Sequence, residues 1–600
     1  MIPALLALAA PPALPAPVQN YVDPAVNVPI STKASTETNP LVAFTPVGNT
    51  WVSWMDGFET GQDLRLQLLG APCCPSFPSD GILVADRDFS GADFVYGLDV
   101  APNGDAVLAY RDFAGGSFQI AVSRVDVRGD VVWTSVVATG SSDLRSPLIA
   151  ALDDGSFTVA WGEAPAVRAM RIDGAGSPVW GAPLTLAPAV GAYELSDLEA
   201  TTGTDSIVAL VQSDGPFSVS RHLLAQRIDG LGGTPWGASP VTVFDGGSLD
   251  VFVRPELAQD GSGGAVLTYS SAAPAIECFV QRLDASGAEL FPHNGVAVAT
   301  SSSAERTDPH AIFSAASGQV VVAWQDQSSS GTPSTGISLQ RVDAAGNLLL
   351  GPAGATVVPL TPSFTNSPRV LGYDSSSSIA LVVWEDEPFS EADRIFRAEI
   401  DAAGALLGSV EDVASTPSGK TWTTSPQGAE SGGLLVWSDR RSDGGDIYGQ
   451  PVDFSFISAQ TPVSQFLCSS NPNSTGATAD AFAIGSLDVD DNALWFYAQN
   501  LPPNQFGIFV VSLETGPPIP VNDGLLCLSG NIGRFSLPNQ ILGSGADGTF
   551  CLRADLRAFP QLGTILPVDP ADTWHAQAWY RDRTPAPTSN FTSGFSVTLQ

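Results

Sequence analysis

The side chains most able to do chemistry in this chain are carboxylates, 62 Asp and Glu against 26 Lys and Arg. Asp56, Asp112, Asp326, Asp386 and Asp439 each stand two positions after an aromatic residue, at Trp54, Tyr110, Trp324, Trp384 and Trp437. In an extended strand that spacing places acid and ring on one face. Two such acids from different repeats could flank a glycosidic bond, one protonating the leaving oxygen and the other attacking or activating water. Recurrence argues against this, because a residue repeated once per unit usually holds that unit's own loop. These aspartates therefore read as structural, and no catalytic residue is assigned.

Other chemistry is sparse. Asp488, Asp490 and Asn492 in "LDVDDN" have the alternating spacing of a calcium loop, but Ala493 replaces the turn glycine and Gln499 the bidentate glutamate. They read as a polar turn, with calcium as the alternative and no other cofactor expected. The acidic stretches "MDGFETGQD", "EDEPFSEAD" and "SDRRSDGGD" read as solvated loops. His222, His293, His310 and His575 are not spaced to share a metal or to form a local acid–base pair. There is no G-x-S-x-G elbow, no H-E-x-x-H and no phosphate-cradling glycine loop.

The elements that would carry these residues repeat along the chain. "FTVAWGEAPAVRAMRIDGAG" from Phe157 returns as "VVVAWQDQSSSGTPSTGISLQRVDAAG" from Val320. An apolar strand ending in an aromatic residue recurs at Trp54, Tyr110, Trp161, Tyr269, Trp324, Trp384 and Trp437, with Val211 filling the wide gap, at spacings of 50 to 60 residues. That period suits four-stranded blades. A second anchor follows, as Arg124-Val-Asp126, Arg171-Ile-Asp173, Arg227-Ile-Asp229, Arg282-Leu-Asp284 and Arg341-Val-Asp343, then in decayed form as Glu399-Ile-Asp401 and Pro451-Val-Asp453. Several of these anchors close on a glycine, at Gly129, Gly176, Gly287, Gly346 and Gly404, which is turn chemistry. A third anchor is proline, at Pro40, Pro147, Pro255, Pro309 and Pro368, expected at the start of the first strand, where its missing N–H costs no ladder bond.

The pattern predicts an all-β chain: a closed β-propeller over 20–455, with eight blades favoured and seven the alternative, a linker at 456–465 and a β-sandwich over 466–600. The last repeat stops after "GDIYGQPVD", while "VDPAVNVPIS" near the start looks like its missing fourth strand. Residues Val26 to Ile30 are therefore expected beside Ile447 to Val452, sealing the edge.

Composition agrees with this organisation. In 600 residues there are 59 Gly and 47 Pro and only 15% charged side chains, which suits short strands and turns. The net charge of −36 and the lack of a Lys/Arg cluster exclude a nucleic-acid partner. Residues 1–19, apolar and then small, read as a secretory signal peptide, and no later run is long enough to span a bilayer. The six cysteines would then meet an oxidising compartment.

After residue 465 the anchors vanish. The run from Cys468 through "NSTG" at Asn473 to Gly476, "LP" at Leu501, "LCL" at Leu526 to Leu528, the Arg534 segment and "QAWYRD…SNFT" resembles a carboxy-terminal module of secreted proteins from planctomycete-like bacteria. The resemblance implies a β-sandwich in an exported bacterial protein and a pairing of Cys468 with Cys527; Cys551 departs from that pattern. The preceding repeats are similar to degenerate propeller repeats of large exported bacterial proteins.

Two functions are carried forward. The first is a non-enzymatic, monomeric binding or scaffold protein, secreted or on the bacterial cell surface. It would contact a glycan or protein partner through the variable loops after the aromatic anchors, whose acidic stretches favour a cationic patch or a calcium-bridged glycan. The second is a propeller-type glycosidase or lyase using carboxylates.

Overall fold

A computed structural model describes residues 24–600 except 58–60, 71–73, 79, 88–94, 141–143, 216–219, 301–303, 329–331, 363, 388–392, 425–431, 454–461, 546–547 and 584–585. The expected signal peptide, Cys73, much of the expected linker and part of the "EDEPFSEAD" loop lie outside the described residues. Apart from one 3-10 turn at Pro538–Gln540, the described regular elements are all β. Among the described residues no helix is long and apolar enough to cross a membrane. The described residues divide into two compact units, one within 21–69 and 77–457, the other within 458–600 and 70–76.

Among the described residues the larger unit contains eight antiparallel sheets of four or five strands, none of them closed on itself. The third is typical: Leu144–Ala151, Phe157–Glu163, Ala166–Ile172 and Leu184–Leu186 lie in chain order across the sheet. Every aromatic anchor falls on a second strand and is buried, as is Val211 in the fourth sheet. These strands have neighbours on both edges and both faces, which is why they read as unbroken apolar runs. First strands of successive sheets touch from the first sheet to the seventh, the seventh's first strand Phe364–Asp374 contacts Gly432–Asp439 of the eighth, and Glu37–Phe44 of the first sheet contacts both Lys420–Thr424 and Gly432–Asp439 of the eighth.

Val28–Ser31 is the outer strand of the eighth sheet, antiparallel to Asp446–Asp453, with Val28 opposite Gly449 and Ser31 opposite Ile447. The expected pairing of the amino-terminal strand is thus observed. Ile30 is fully buried there, and Asn27 donates from Nδ2 to the Val413 carbonyl and to Gln450 Oε1.

The proline anchors require a correction. Pro40, Pro147, Pro309 and Pro368 lie inside the first strand, each at a bulge in its pairing with the second strand. The preceding residues Asn39, Ser146, Asp308 and Ser367 take φ between 49° and 55°. A bulge leaves residues out of the ladder, so it tolerates a residue with no N–H, just as a strand start does.

The smaller unit holds a seven-stranded sheet, a three-stranded sheet and two hairpins. Both sheets contribute to one aromatic core around Phe496, whose ring lies 5.5 Å from Phe509 and 5.1 Å from Phe595. Cys468 is bonded to Cys527, with Cα atoms 6.6 Å apart, and Cys74 to Cys551 at 6.0 Å. The motif residues here are structural: Gln577 accepts from the Cys527 N–H and donates to the carbonyls of Leu525 and Thr592.

Candidate functional site

The recurring polar residues are largely consumed by the architecture. Asp126, Asp173, Asp229, Asp284, Asp343 and Asp401 each accept two backbone N–H bonds within the following turn. The arginine two residues earlier staples neighbouring sheets. Arg227 donates from Nε to Asp205 at 2.9 Å within its own sheet and from Nη1 to the Ala285 carbonyl, also at 2.9 Å, in the next repeat. Arg124 and Arg171 reach Gly174 and Gly230 in the same way, and in the seventh sheet Arg397 takes this role through the Asp453 carbonyl.

The aspartates after the aromatic anchors are equally engaged. Trp324 Nε1 donates to Asp326 and Trp437 Nε1 to Asp439, each at 2.9 Å. Asp56 accepts from Lys33, Ser35 and Arg65. Asp112 accepts from the Phe113 N–H, and Asp386 also has a partner. Burial alone would raise Asp439, but hydrogen bonds from Arg441, Ser418 and Trp437 outweigh it and hold the carboxyl below its usual range. The reading of the acidic stretches as solvated loops is overturned at Asp56, Glu385, Asp439 and Asp446, which are buried, whereas Asp443 is exposed as expected. Their strands continue past the aromatic anchor, or begin early after the loop, and carry these acids inside.

The three candidate calcium residues, Asp488, Asp490 and Asn492, differ in surroundings. Asn492 is buried and spent, donating to Asp555 and accepting from the Leu556 N–H, while Asp488 and Asp490 are exposed. Among the described residues, no three His, Cys, Asp or Glu side chains converge as a ligand set. The histidines stay apart too: His310, for instance, is buried and takes the Val370 N–H on Nδ1.

Acids that sequence reasoning missed lie on the first strands. Asp99 and Asp197 each accept one N–H from their own strand and one from the first strand of the next sheet, at Ala151 and Leu257. They satisfy backbone donors that an edge strand leaves open. Burial pushes Asp99 up to about 6 and raises Asp197. Glu199 is held well above its usual range by burial and by Asp197 and Asp99; burial pushes Glu256 up to about 7 despite nearby Arg369.

A cleft of about 390 Å³ opens among the third, fourth and fifth sheets, on the rim where second strands end. Arg145 enters from the bulge of one first strand, Tyr193 and Glu194 from the start of the next, Phe252 and Arg254 from the segment before the fifth sheet's first strand, and Arg221 from the fourth sheet's third strand. Arg221 pairs with Glu194 at 3.3 Å, and Arg254 donates to the Leu195 carbonyl at 2.8 Å. Arg145 is exposed, with no carboxylate in ion-pair reach among the described residues, and Phe252 is 90% exposed. Gly162 admits the Arg145 stem, since a Cβ there would stand 3.2 Å from Arg145 Cγ. The cleft lies on the rim expected for a ligand, and its described lining carries Arg145, Arg221, Arg254 and Glu194 rather than the expected acidic stretches. A signal was present in the sequence: Thr38, Thr307 and Asn366 hold the position of Arg145 in other repeats, so the arginine breaks the symmetry.

No protein-family model matches the chain and no curated protein is similar to it. Similar solved structures include the β-propeller domain of the Trilobed protease from Pyrococcus furiosus, at 9% identity and TM-score 0.35, covering 64% of this chain and 98% of that one. An ulvan lyase bound to a GlcA–Rha3S saccharide shows 10% identity and TM-score 0.38, covering 61% and 94%. Puromycin hydrolase shows 14% identity and TM-score 0.36, covering 76% and 60%.

Proposed function

We propose that the eight sheets are blades of a closed β-propeller, that the smaller unit is a β-sandwich, and that the protein is a secreted, non-enzymatic binding protein of a bacterial exterior. The ligand sits in the cleft among the third, fourth and fifth sheets. One observation carries this reading: the repeated carboxylates and guanidiniums are spent on turns and staples, while the cleft presents polar side chains that the repeat does not require. A cleft of this size with a few placed polar groups is the usual form of a binding site. The two disulfides suit an oxidising compartment. The resemblance of the smaller unit to modules of planctomycete-like bacteria supports attachment or a second contact there.

The carboxylate-enzyme reading is kept as the second, because Glu199 and Glu256 stand on neighbouring first strands, free of protein hydrogen bonds among the described residues and held towards the protonated form. A carboxyl poised near neutrality is what a general acid needs. The test is a glycan and cell-wall binding screen of the full chain, with and without calcium, run beside a hydrolysis assay on the same substrates. Saturable binding without turnover is expected. Turnover lost in Glu256→Gln with the fold retained would establish the enzyme instead.

A further inference from the structure

The segment from Asp245 to Arg254 runs from the last strand of the fourth sheet, Val241–Phe244, into the fifth sheet, and its far end carries Val251, Phe252 and Arg254 into the cleft lining. Its near end is tied to the fifth sheet's loop between Glu277–Leu283 and Val296–Ala297. Asn294 Oδ1 accepts the N–H groups of Asp245 and Gly246 at 2.7 and 2.9 Å. His293 stands between two carboxylates, its Nδ1 3.0 Å from Glu289 Oε1 and its Nε2 3.1 Å from Asp245 Oδ1. A carboxylate only accepts hydrogen bonds, whereas a neutral imidazole has one N–H and one lone pair. Both contacts are hydrogen bonds only in the imidazolium; the neutral ring turns its lone pair on one of the two anions. The charged groups facing the ring are Glu289 of its own loop and Asp245 of the connecting segment. Gln281 of the third strand donates to Glu289 at 3.0 Å, and Tyr269 of the second strand, which feels the Glu289 charge, donates to the Asn294 carbonyl at 2.7 Å.

Resting on the binding-protein reading for its consequence, we infer that His293 is a pH-sensitive clamp on the segment that walls the cleft: the charged ring ties Asp245 to the fifth sheet's loop, and the neutral ring loosens it. Hydrogen bonding to Glu289, and then to Asp245, outweighs burial and raises the ring above its ordinary 6.5. The clamp's contribution is therefore complete below 6.5 and is lost as pH rises through the higher midpoint. The ring is 48% exposed, so each contact is worth what a surface ion pair is worth, and the two together shift the balance between tied and loose segment by about twofold to tenfold.

The experiment follows the full chain by NMR with carbon-labelled histidine rings, where the signal missing from His293→Gln identifies His293 among the four histidines. Its midpoint should lie above 6.5 and fall in both Asp245→Asn and Glu289→Gln. Hydrogen exchange over 245–254, corrected for the intrinsic effect of pH, should run about twofold to tenfold faster at about pH 8.5 than at about pH 5.5 in the parent, and at one rate in His293→Gln. His293 is exposed, so an unchanged Tm at the higher pH verifies the fold of that variant. A midpoint at or below 6.5, or a pH dependence that survives in His293→Gln, overturns the clamp. A change confined to 245–247, with Val251 to Arg254 unmoved, overturns its hold on the cleft. A glycan screen that yields no ligand removes the binding-protein reading and leaves the exchange result as it is.

Discussion

Replacing Ile30 with Ala tests whether the amino-terminal strand is an integral part of the larger unit. Ile30 is fully buried on Val28–Ser31, and a Cβ at Gly449 would stand only 2.9 Å from its Cδ1, so the strand is tightly packed against its partner. Truncating a buried isoleucine costs about 3 kcal/mol, part lost transfer energy and part cavity. The unit holds about 430 residues. At roughly 2 cal/mol/K per residue, its unfolding entropy near Tm is on the order of 0.9 kcal/mol/K. Ile30→Ala should therefore lower Tm by about 3 °C, read by differential scanning calorimetry against the parent. Pro29→Ala is the control, because Pro29 is exposed on the same strand and its loss removes no packing. If Ile30→Ala melts with the parent, the strand is a peripheral tail and the sealing argument is wrong. If Pro29→Ala falls as far as Ile30→Ala, the loss comes from the backbone rather than from burial.

Peptide mapping without reductant should recover Cys468 linked to Cys527 and Cys74 linked to Cys551, with buried Cys278 alkylated only after denaturation; a Cys74 peptide free of Cys551 would refute the second bridge. Arg227→Lys keeps the charge but cannot span both Asp205 and the Ala285 carbonyl, so chemical denaturation should show a loss of about 1–3 kcal/mol, and an unchanged midpoint would dismiss the staple. Burial, with Asp56 and Asp446 adding like charge against the Ser31 hydrogen bond, pushes Glu37 up to about 8. The folded state thus keeps a proton that the unfolded chain releases near 4.5, and this contribution to stability is full below that value and lost as pH rises through about 8. Glu37→Gln should flatten the fall in Tm over that window; an equally steep fall would place the titration on other groups.

Local patterning along the chain was enough to mark several elements. Unbroken apolar runs at Trp161, Trp324 and Trp384 marked strands with neighbours on both sides, because such strands have no polar face to preserve. The Asp-x-x-Gly turns were legible because a carboxylate accepting two N–H bonds and a glycine at positive φ satisfy a turn within five residues, as at Asp173 and Gly176. The unpaired last repeat pointed to Val26 to Ile30, overlapping the observed Val28–Ser31, because an open edge needs a partner. Tertiary structure decided the rest, wherever partners lie far apart in sequence. Arg227 reads as a strand residue until the Ala285 carbonyl comes within 2.9 Å from 58 positions away. Asp439 and Asp446 read as loop acids until pairing with the amino terminus encloses them. The cleft draws Arg145, Arg221 and Arg254 from three sheets; Arg145 and Arg254 are exposed and Arg221 is buried, and only the packing of neighbouring first strands brings them to one opening.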